Sequence, residues 1–258
     1  MPFELIYTYL KLPVFLLVAS RLGGMLMFLP VFSGAAVPTN IRVLLVIGLA
    51  ILVYPLVQVD AAAQWHPLGL TIAIGRELLL GILMGLIVQM CFLGLQLGGQ
   101  MIAQETGLAF GEVVDPSTDV EQSMIGSFYV QLGAVMFLII GGHRALVGAA
   151  LESFRRIPLL GETQTSELGV GLLIEAIGLS GEITLRIAAP VLLTLFLLNI
   201  AMGFISRTLP QFNVLTVGFS VKGMVGFLLM AVALPAALAA FTEGLETTMD
   251  WIGALTGQ

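Results

Sequence analysis

The clearest pattern among residues that could do chemistry is a row of amides within a long apolar stretch. Gln89, Gln96, Gln100 and Gln104 follow one another at spacings that place them on one face of a helix. An unpaired amide is costly in an apolar medium, so this row needs partner helices or water. Two interpretations stay open. Either the amides hold packed helices together, or they line a hydrated conduit.

Ionisable residues are few, and several lie in or beside apolar runs, where charged groups usually face protein or water. They are Arg21, Arg42, Glu77, Glu175, Glu182, Arg186 and Lys222. Most lie near the ends of the runs, which favours structural pairing within an assembly over a proton or ion relay. Glu182 and Arg186 are four residues apart, in the order that favours an ion pair on a helix.

Catalytic motifs are weak or missing in the sequence. Residues 178–181 read GLSG, like the nucleophile turn of intramembrane serine proteases, but no histidine follows His143 to serve as the base. Neither a nucleotide-binding loop nor a set of metal-ligating Cys and His residues is found. The sequence therefore predicts a protein that is not an enzyme and that binds no cofactor or metal.

Composition points to the membrane. The chain has 258 residues, of which 58% are hydrophobic and only 10% are charged, whereas soluble domains are about 25% charged. A net charge of −6 spread over the chain argues against nucleic-acid binding. The single cysteine, Cys91, excludes an internal disulfide. We expect an integral membrane protein.

Six apolar segments are candidates for membrane-spanning helices, because a bilayer core needs about 20 residues of helix. They are Leu12–Phe32, Val43–Val59, Leu78–Gln104, Gln122–Gly142, Ile187–Ser206 and Gly223–Thr242. Two further stretches have helical patterns: residues 143–157, amphipathic and ended by Pro158, and residues 166–185.

Two connectors stand out. In the acidic stretch 106–121, Phe110 lies between Gly107 and Gly111, whose flexibility allows a tight fold. Taken alone, this pattern favours an ordinary connector over an apolar tip that closes a hole. The second connector lies between the last two apolar segments and concentrates polar groups beyond what a turn needs. Its residues include Arg207, Pro210, Gln211, Asn213 and Lys222.

The second connector carries a resemblance to a known family. RTLPQFNV at 207–214, followed by Gly218, Phe219 and Lys222, resembles the R-x-x-P-Q-x-N-V signature of the FliR family. These are flagellar type III export-gate proteins with counterparts in virulence injectisomes. Other residues agree in order over nearly the whole chain, among them Arg21, Glu77, Gly81, Gly85, Gly98, Gly99, Asp115, Pro116 and the run 141–143.

The resemblance implies an all-α, membrane-associated fold of long kinked helices and helical hairpins, packed in a helical hetero-oligomer. A FliP-like part, residues 1–165, would be joined to a FliQ-like hairpin, residues 166–258. One copy of the chain would assemble with several copies each of FliP and FliQ, with FlhB wrapped around them and FlhA beneath. The expected location is the flagellar basal body in the bacterial inner membrane, with much of the chain above the membrane plane.

The resemblance also implies roles for the two connectors. The first would plug the conduit for unfolded flagellar substrates, with Phe110, Val113 and Val114 as the apolar closure and Gly107 and Gly111 as further residues of the plug. The second would line or brace the cytoplasmic entrance through Arg207, Pro210, Gln211, Asn213 and Lys222. The alternatives are an injectisome counterpart and a stand-alone small-molecule or ion transporter, for which the sequence offers no clear repeat between its halves.

Overall fold

The computed structural model describes residues 12–33, 37–57, 67–108, 123–157, 159, 165–208 and 214–255, and the regular secondary structure within them is helical. This confirms the predicted all-α, membrane-associated class. The helices are α1 (Leu12–Met27), α2 (Pro30–Ser33), α3 (Thr39–Val53), α4 (Pro67–Thr106), α5 (Met124–Ile139), α6 (Gly142–Arg156), α7 (Thr165–Thr208) and α8 (Val214–Leu255). A short 3₁₀ turn, Tyr54–Leu56, follows α3.

Three helices are much longer than the apolar segments that predicted them. Helices α4, α7 and α8 have 40, 44 and 42 residues. Charged residues at the ends of the apolar runs do not end these helices, because their side chains can lie outside the apolar faces. Pro190 within α7 and Pro235 within α8 each remove a backbone donor.

Four of the described helical stretches are long and apolar enough to cross a membrane: Thr39–Leu56, Pro67–Thr106, Gly169–Thr208 and Thr216–Ala254. The consecutive helices α5 and α6 add a fifth if they count as one span. Helix α1 is apolar but has only 16 residues, since the chain leaves the helix before Pro30. The chain is therefore embedded in a membrane by several apolar helices.

The chain forms two compact units. The first comprises Met1–Gln89, Gly141–Ala176 and Glu246–Gln258, and the second comprises Met90–Ile140 and Ile177–Leu245. Helices α4, α7 and α8 contribute residues to both. The division into a FliP-like and a FliQ-like part at residue 165 stays a prediction, and Thr165 is the residue at which α7 begins.

In the first unit, α1 packs against α4 through glycines that let the two backbones come close. A Cβ atom on Gly85 would lie 2.5 Å from the carbonyl oxygen of Met25, and one on Gly81 would collide with the carbonyl oxygen of Arg21. Gly24 of α1 makes the reciprocal approach, because its Cβ would lie 2.5 Å from the carbonyl oxygen of Leu78. These glycines are small residues at a helix–helix contact, as apolar media favour.

In the second unit, the middle of α4 packs against α7 and α5. Gly94 faces Ile183, and the Thr184 hydroxyl donates a hydrogen bond of 3.2 Å to the carbonyl oxygen of Gly94. The ring of Phe92 makes edge contacts with Phe137 and Phe241, at centroid distances of 5.9 and 5.0 Å. Aromatic edge contacts of this kind add to area burial in a core. They anchor the part of α4 that leads to Gly107.

Candidate functional site

Helix α4 ends at a glycine that the local structure requires. Gly107 has φ +79°, a left-handed conformation that side chains disfavour, and its N–H donates to the carbonyl oxygen of Gln104. It is buried against Phe219 of α8, whose Cε2 would lie 2.5 Å from a Cβ on Gly107. The start of the first connector is thus fixed by backbone conformation and by an aromatic ring.

A cleft of about 620 Å³ opens beside Gly107, bounded by the end of α4, the end of α7 and the beginning of α8. Its lining residues are Gln104, Glu105, Thr106, Gly107, Asn199, Met202, Gly203, Ser206, Gly218, Phe219 and Lys222. We call it the α4-end cleft. It brings together one glutamine of the row, one glycine of the first connector and one cation of the second, which are far apart in sequence.

The α4-end cleft mixes charged, amide and apolar groups. Among the described residues, neither the carboxylate of Glu105 nor the ammonium of Lys222 takes part in an ion pair. The Ser206 hydroxyl is engaged locally, donating to the carbonyl oxygen of Gly203 at 2.8 Å. Such a lining can hold a polar peptide backbone or water.

The glutamine row divides between packing and exposure. Gly126 of α5 lies against the backbone of Gln96, whose carbonyl oxygen would be 3.0 Å from a Cβ on Gly126. Gln96 and Gln100 are half-buried, whereas Gln104 is exposed and reaches the cleft. Gln89 belongs to the first unit, and its Oε1 is buried without a hydrogen-bond partner in the described part of the chain. Gln96 therefore lies at a helix contact, and the conduit interpretation stays a prediction.

The first unit contains a buried polar cluster that explains two of the ionisable residues. Arg21 Nε donates to Glu77 Oε2 at 2.5 Å, and both side chains are 1% exposed. Arg21 Nη1 donates to Ser153 Oγ at 3.1 Å, and Nη2 donates to the Ile157 carbonyl oxygen at 3.2 Å. The guanidinium also lies over the Phe154 ring, 4.3 Å from its centroid.

Sequence reasoning missed Ser153, Ile157 and Glu105 as parts of these sites. Ser153 directly precedes Phe154 on the amphipathic helix, but a serine there carries no signal of its own until α1 and α4 are placed beside it. Glu105 directly follows the glutamine row. Its charge at the end of an apolar run was the signal that could have identified it. The predicted pair Glu182–Arg186 is confirmed, with Arg186 Nη2 donating to Glu182 Oε1 at 2.7 Å.

Several predicted site residues lie outside the described residues: Phe110, Gly111, Val113, Val114, Pro210, Gln211 and Asn213. Their roles stay predictions. Arg207 is exposed in the last turn of α7, and Lys222 is half-buried in the α4-end cleft.

Comparison with known proteins gives consistent results. The sequence model of the family described as "Bacterial export proteins, family 1" matches residues 12–248. "Flagellar biosynthetic protein FliR" of Caulobacter vibrioides is 25% identical over 235 residues, which cover 91% of this chain and 93% of the relative. FliR of Bacillus subtilis is 27% identical, covering 86% of each chain. "Yop proteins translocation protein T" of Yersinia pestis is 26% identical, covering 82% and 81%.

Proposed function

This chain belongs to family 1 of the bacterial export proteins, and we propose that it is a structural channel subunit of a flagellar type III protein-export gate. In this role it lines and plugs the conduit for unfolded flagellar substrates. The chain is a membrane-embedded export component and not an enzyme, since the family and the relatives are named for export, biosynthesis and translocation.

The α4-end cleft is the observation that carries the proposal. A connector that opens and closes a conduit needs a fixed base, and Gly107 has one through its positive φ and its contact with Phe219. Lys222, from the second connector region, lines the same cleft. The assignment of Phe110, Gly111, Val113 and Val114 as the closure rests on the family resemblance.

Exposed apolar side chains support assembly with other subunits. Helices α7 and α8 leave large side chains in contact with the surroundings, among them Leu193, Phe204, Met224 and Val232, each exposed by more than half. Lipid or protein must cover such surfaces. We propose several copies of FliP and FliQ homologues as the neighbours of one copy of this chain, with FlhB and FlhA homologues in contact with the gate in the bacterial inner membrane.

Native mass spectrometry tests the assembly. The chain is co-expressed with the FliP and FliQ homologues of its own organism and extracted in mild detergent. We expect one discrete complex with a single copy of this chain and several copies of each partner. A lone monomer or a homo-oligomer would contradict the proposal and favour a transporter that works alone.

Deletion of residues 107–115 tests the closure. Removing an apolar plug opens a hydrated path, so we expect small ions to leak across membranes that contain the assembled gate. Potassium flux into vesicles measures the leak. Native mass spectrometry of the same preparation shows whether the complex has assembled. An intact complex with unchanged ion permeability would contradict the closure assignment.

An injectisome gate is the second candidate, because the Yersinia pestis relative has a sequence identity to this chain comparable to that of the flagellar ones, over a smaller share of it. Complementation separates the two. Restored swimming in a flagellate that lacks its own FliR supports the flagellar assignment. Restored injectisome secretion without swimming supports the other.

A further inference from the structure

Helix α4 has an exposed apolar face near its beginning, and an arginine interrupts it. Leu68, Ile72 and Leu79 are exposed by 75%, 66% and 66%. Arg76 falls on the same side of the helix, eight residues after Leu68. Gly69 and Gly75 also lie on this side, and a Cβ on either would meet no atom within 4 Å. The Arg76 face consists of Leu68, Gly69, Ile72, Gly75, Arg76 and Leu79.

The guanidinium of Arg76 lacks a counter-charge within the described chain. Its Nε and Nη2 atoms are shielded from solvent and have no hydrogen-bond partner there. The adjacent carboxylate does not serve, because Glu77 is bonded to Arg21, and neighbouring residues on a helix do not face each other. A half-buried cation with two shielded, unpaired N–H donors is unfavourable. An acceptor from outside the described chain would remove this cost.

The surroundings of Arg76 fit a protein helix better than lipid. A lipid-facing arginine extends its guanidinium along the helix toward the headgroups, whereas Nε and Nη2 of Arg76 are shielded against this chain, which leaves Nη1 as the nitrogen that an outside carboxylate can reach. The open glycines at 69 and 75 let another backbone approach closely, as in helix contacts within membranes. Exposed leucine and isoleucine side chains flank them and would be covered by the same helix.

We propose that an apolar helix of a neighbouring gate subunit covers the Arg76 face and supplies an aspartate or glutamate that forms an ion pair with Arg76. This inference rests on the proposed function, since it requires the hetero-oligomeric gate. The neighbour is identified by its chemistry. It is an apolar helix with one carboxylate and with side chains small enough at the contact to approach Gly69 and Gly75.

Site-specific photo-cross-linking tests the contact. A benzoylphenylalanine replaces Ile72 in the chain co-expressed with its FliP and FliQ homologues. We expect an adduct with one of these subunits, at a site within a helical turn of an aspartate or glutamate. The same probe at Arg155, which is 80% exposed on α6, is the control and should give no such adduct. An intact complex whose Ile72 probe yields only lipid adducts, or none, overturns the inference.

Charge reversal tests the ion pair. We expect R76E to lower recovery of the complex by about tenfold or more, as loss of a buried interfacial charge pair does. Replacing the cross-linked acid by arginine should restore recovery, and R155E should leave it unchanged. R76Q should weaken the complex without destabilising the isolated chain, which separates this role from misfolding. If the wild-type complex does not form, the proposed function fails with the inference; if it forms and R76E does not weaken it, the inference alone fails.

Discussion

Each of the two units contains an arginine that forms ion pairs, one buried and the other about half exposed. Arg21 in the first unit is 1% exposed and has Glu77, Ser153 and the Ile157 carbonyl as acceptors. Arg186 in the second unit is about half exposed, and its acceptors are Glu182 and Glu243, at 2.7 and 2.6 Å.

The difference lies in what replaces water around each charge. A buried guanidinium must find protein acceptors for its donors, so Arg21 joins α1, α4 and the end of α6 at one point. Arg186 keeps access to its surroundings, and its pairs connect two positions of α7 with one of α8. We therefore expect the first network to determine how its helices pack and the second to contribute little to stability.

The largest effect is expected where the buried network is broken. Glu77→Leu leaves the charge of Arg21 buried without its carboxylate, which should lower the free energy of unfolding by about 3–5 kcal/mol. Denaturant titration of the full chain in mild detergent measures it. The double variant R21M/E77L removes both charges and should recover most of the loss. Equal losses in the single and double variants would show that packing, not charge, is what Glu77 contributes.

A smaller loss is expected where the helix contact beside Arg21 is forced apart. Gly81→Ala places a methyl group against the carbonyl oxygen of Arg21, and this overpacking should cost about 1–3 kcal/mol. Gly48→Ala is the matched control, because a Cβ there meets nothing within 4 Å and alanine favours helix by about 1 kcal/mol. The same titration compares them. If G81A proves as harmless as G48A, the backbone approach is looser than the structure indicates.

Sequence reasoning found the helices because apolar runs of this length leave the backbone no other choice in a membrane. It also found the pair Glu182–Arg186, since partners four residues apart depend on helix geometry alone. It could not pair Arg21 with Glu77, which are 56 residues apart. That contact depends on the tertiary approach of α1 to α4 at Gly81, and no local pattern encodes the partner of a glycine.

The candidate site was predictable only where its residues carry a local sequence pattern. Gly107 carried a local signal, a glycine at the end of a helix. The contact of Gly107 with Phe219 had no local signal, although Phe219 follows the second connector and belongs to the stretch that resembles the family signature. Helix bounds were underestimated for α7, where Glu175, Glu182 and Arg186 interrupt apolarity but not the helix.

A third variant probes the glycine contact of the second unit, where we expect opposing terms of similar size. A Cβ on Gly98 would lie 3.1 Å from the Cβ and Cγ2 atoms of Ile187 and 3.4 Å from the carbonyl oxygen of Thr184, so its tightest contacts are with a side chain. Alanine favours helix by about 1 kcal/mol, so the net change for G98A should stay under about 1 kcal/mol in either direction.

The companion variant shows which term dominates at Gly98. Replacing Ile187 by alanine removes the Cγ2 atom that the new Cβ would press on, so we expect the G98A change to be more favourable in the I187A background than in the wild type. Denaturant titration of the four chains gives this coupling. Strict additivity would mean that Gly98 and Ile187 do not press on each other, and the two units would then differ in their glycine contacts as well as in their charges.

The smallest effect is expected at the exposed arginine. Arg186→Gln removes both ion pairs but leaves each carboxylate accessible to its surroundings, so the unfolding midpoint of the isolated chain should be unchanged within error. Added salt should not change the loss of stability caused by Glu77→Leu, because Arg21 is buried and shielded from ions. A loss in R186Q comparable to that in E77L would mean that burial does not decide the worth of these networks. A loss seen only in the assembled gate would mean that α7 and α8 present Arg186 to a neighbouring subunit, where assembly buries it as folding buries Arg21.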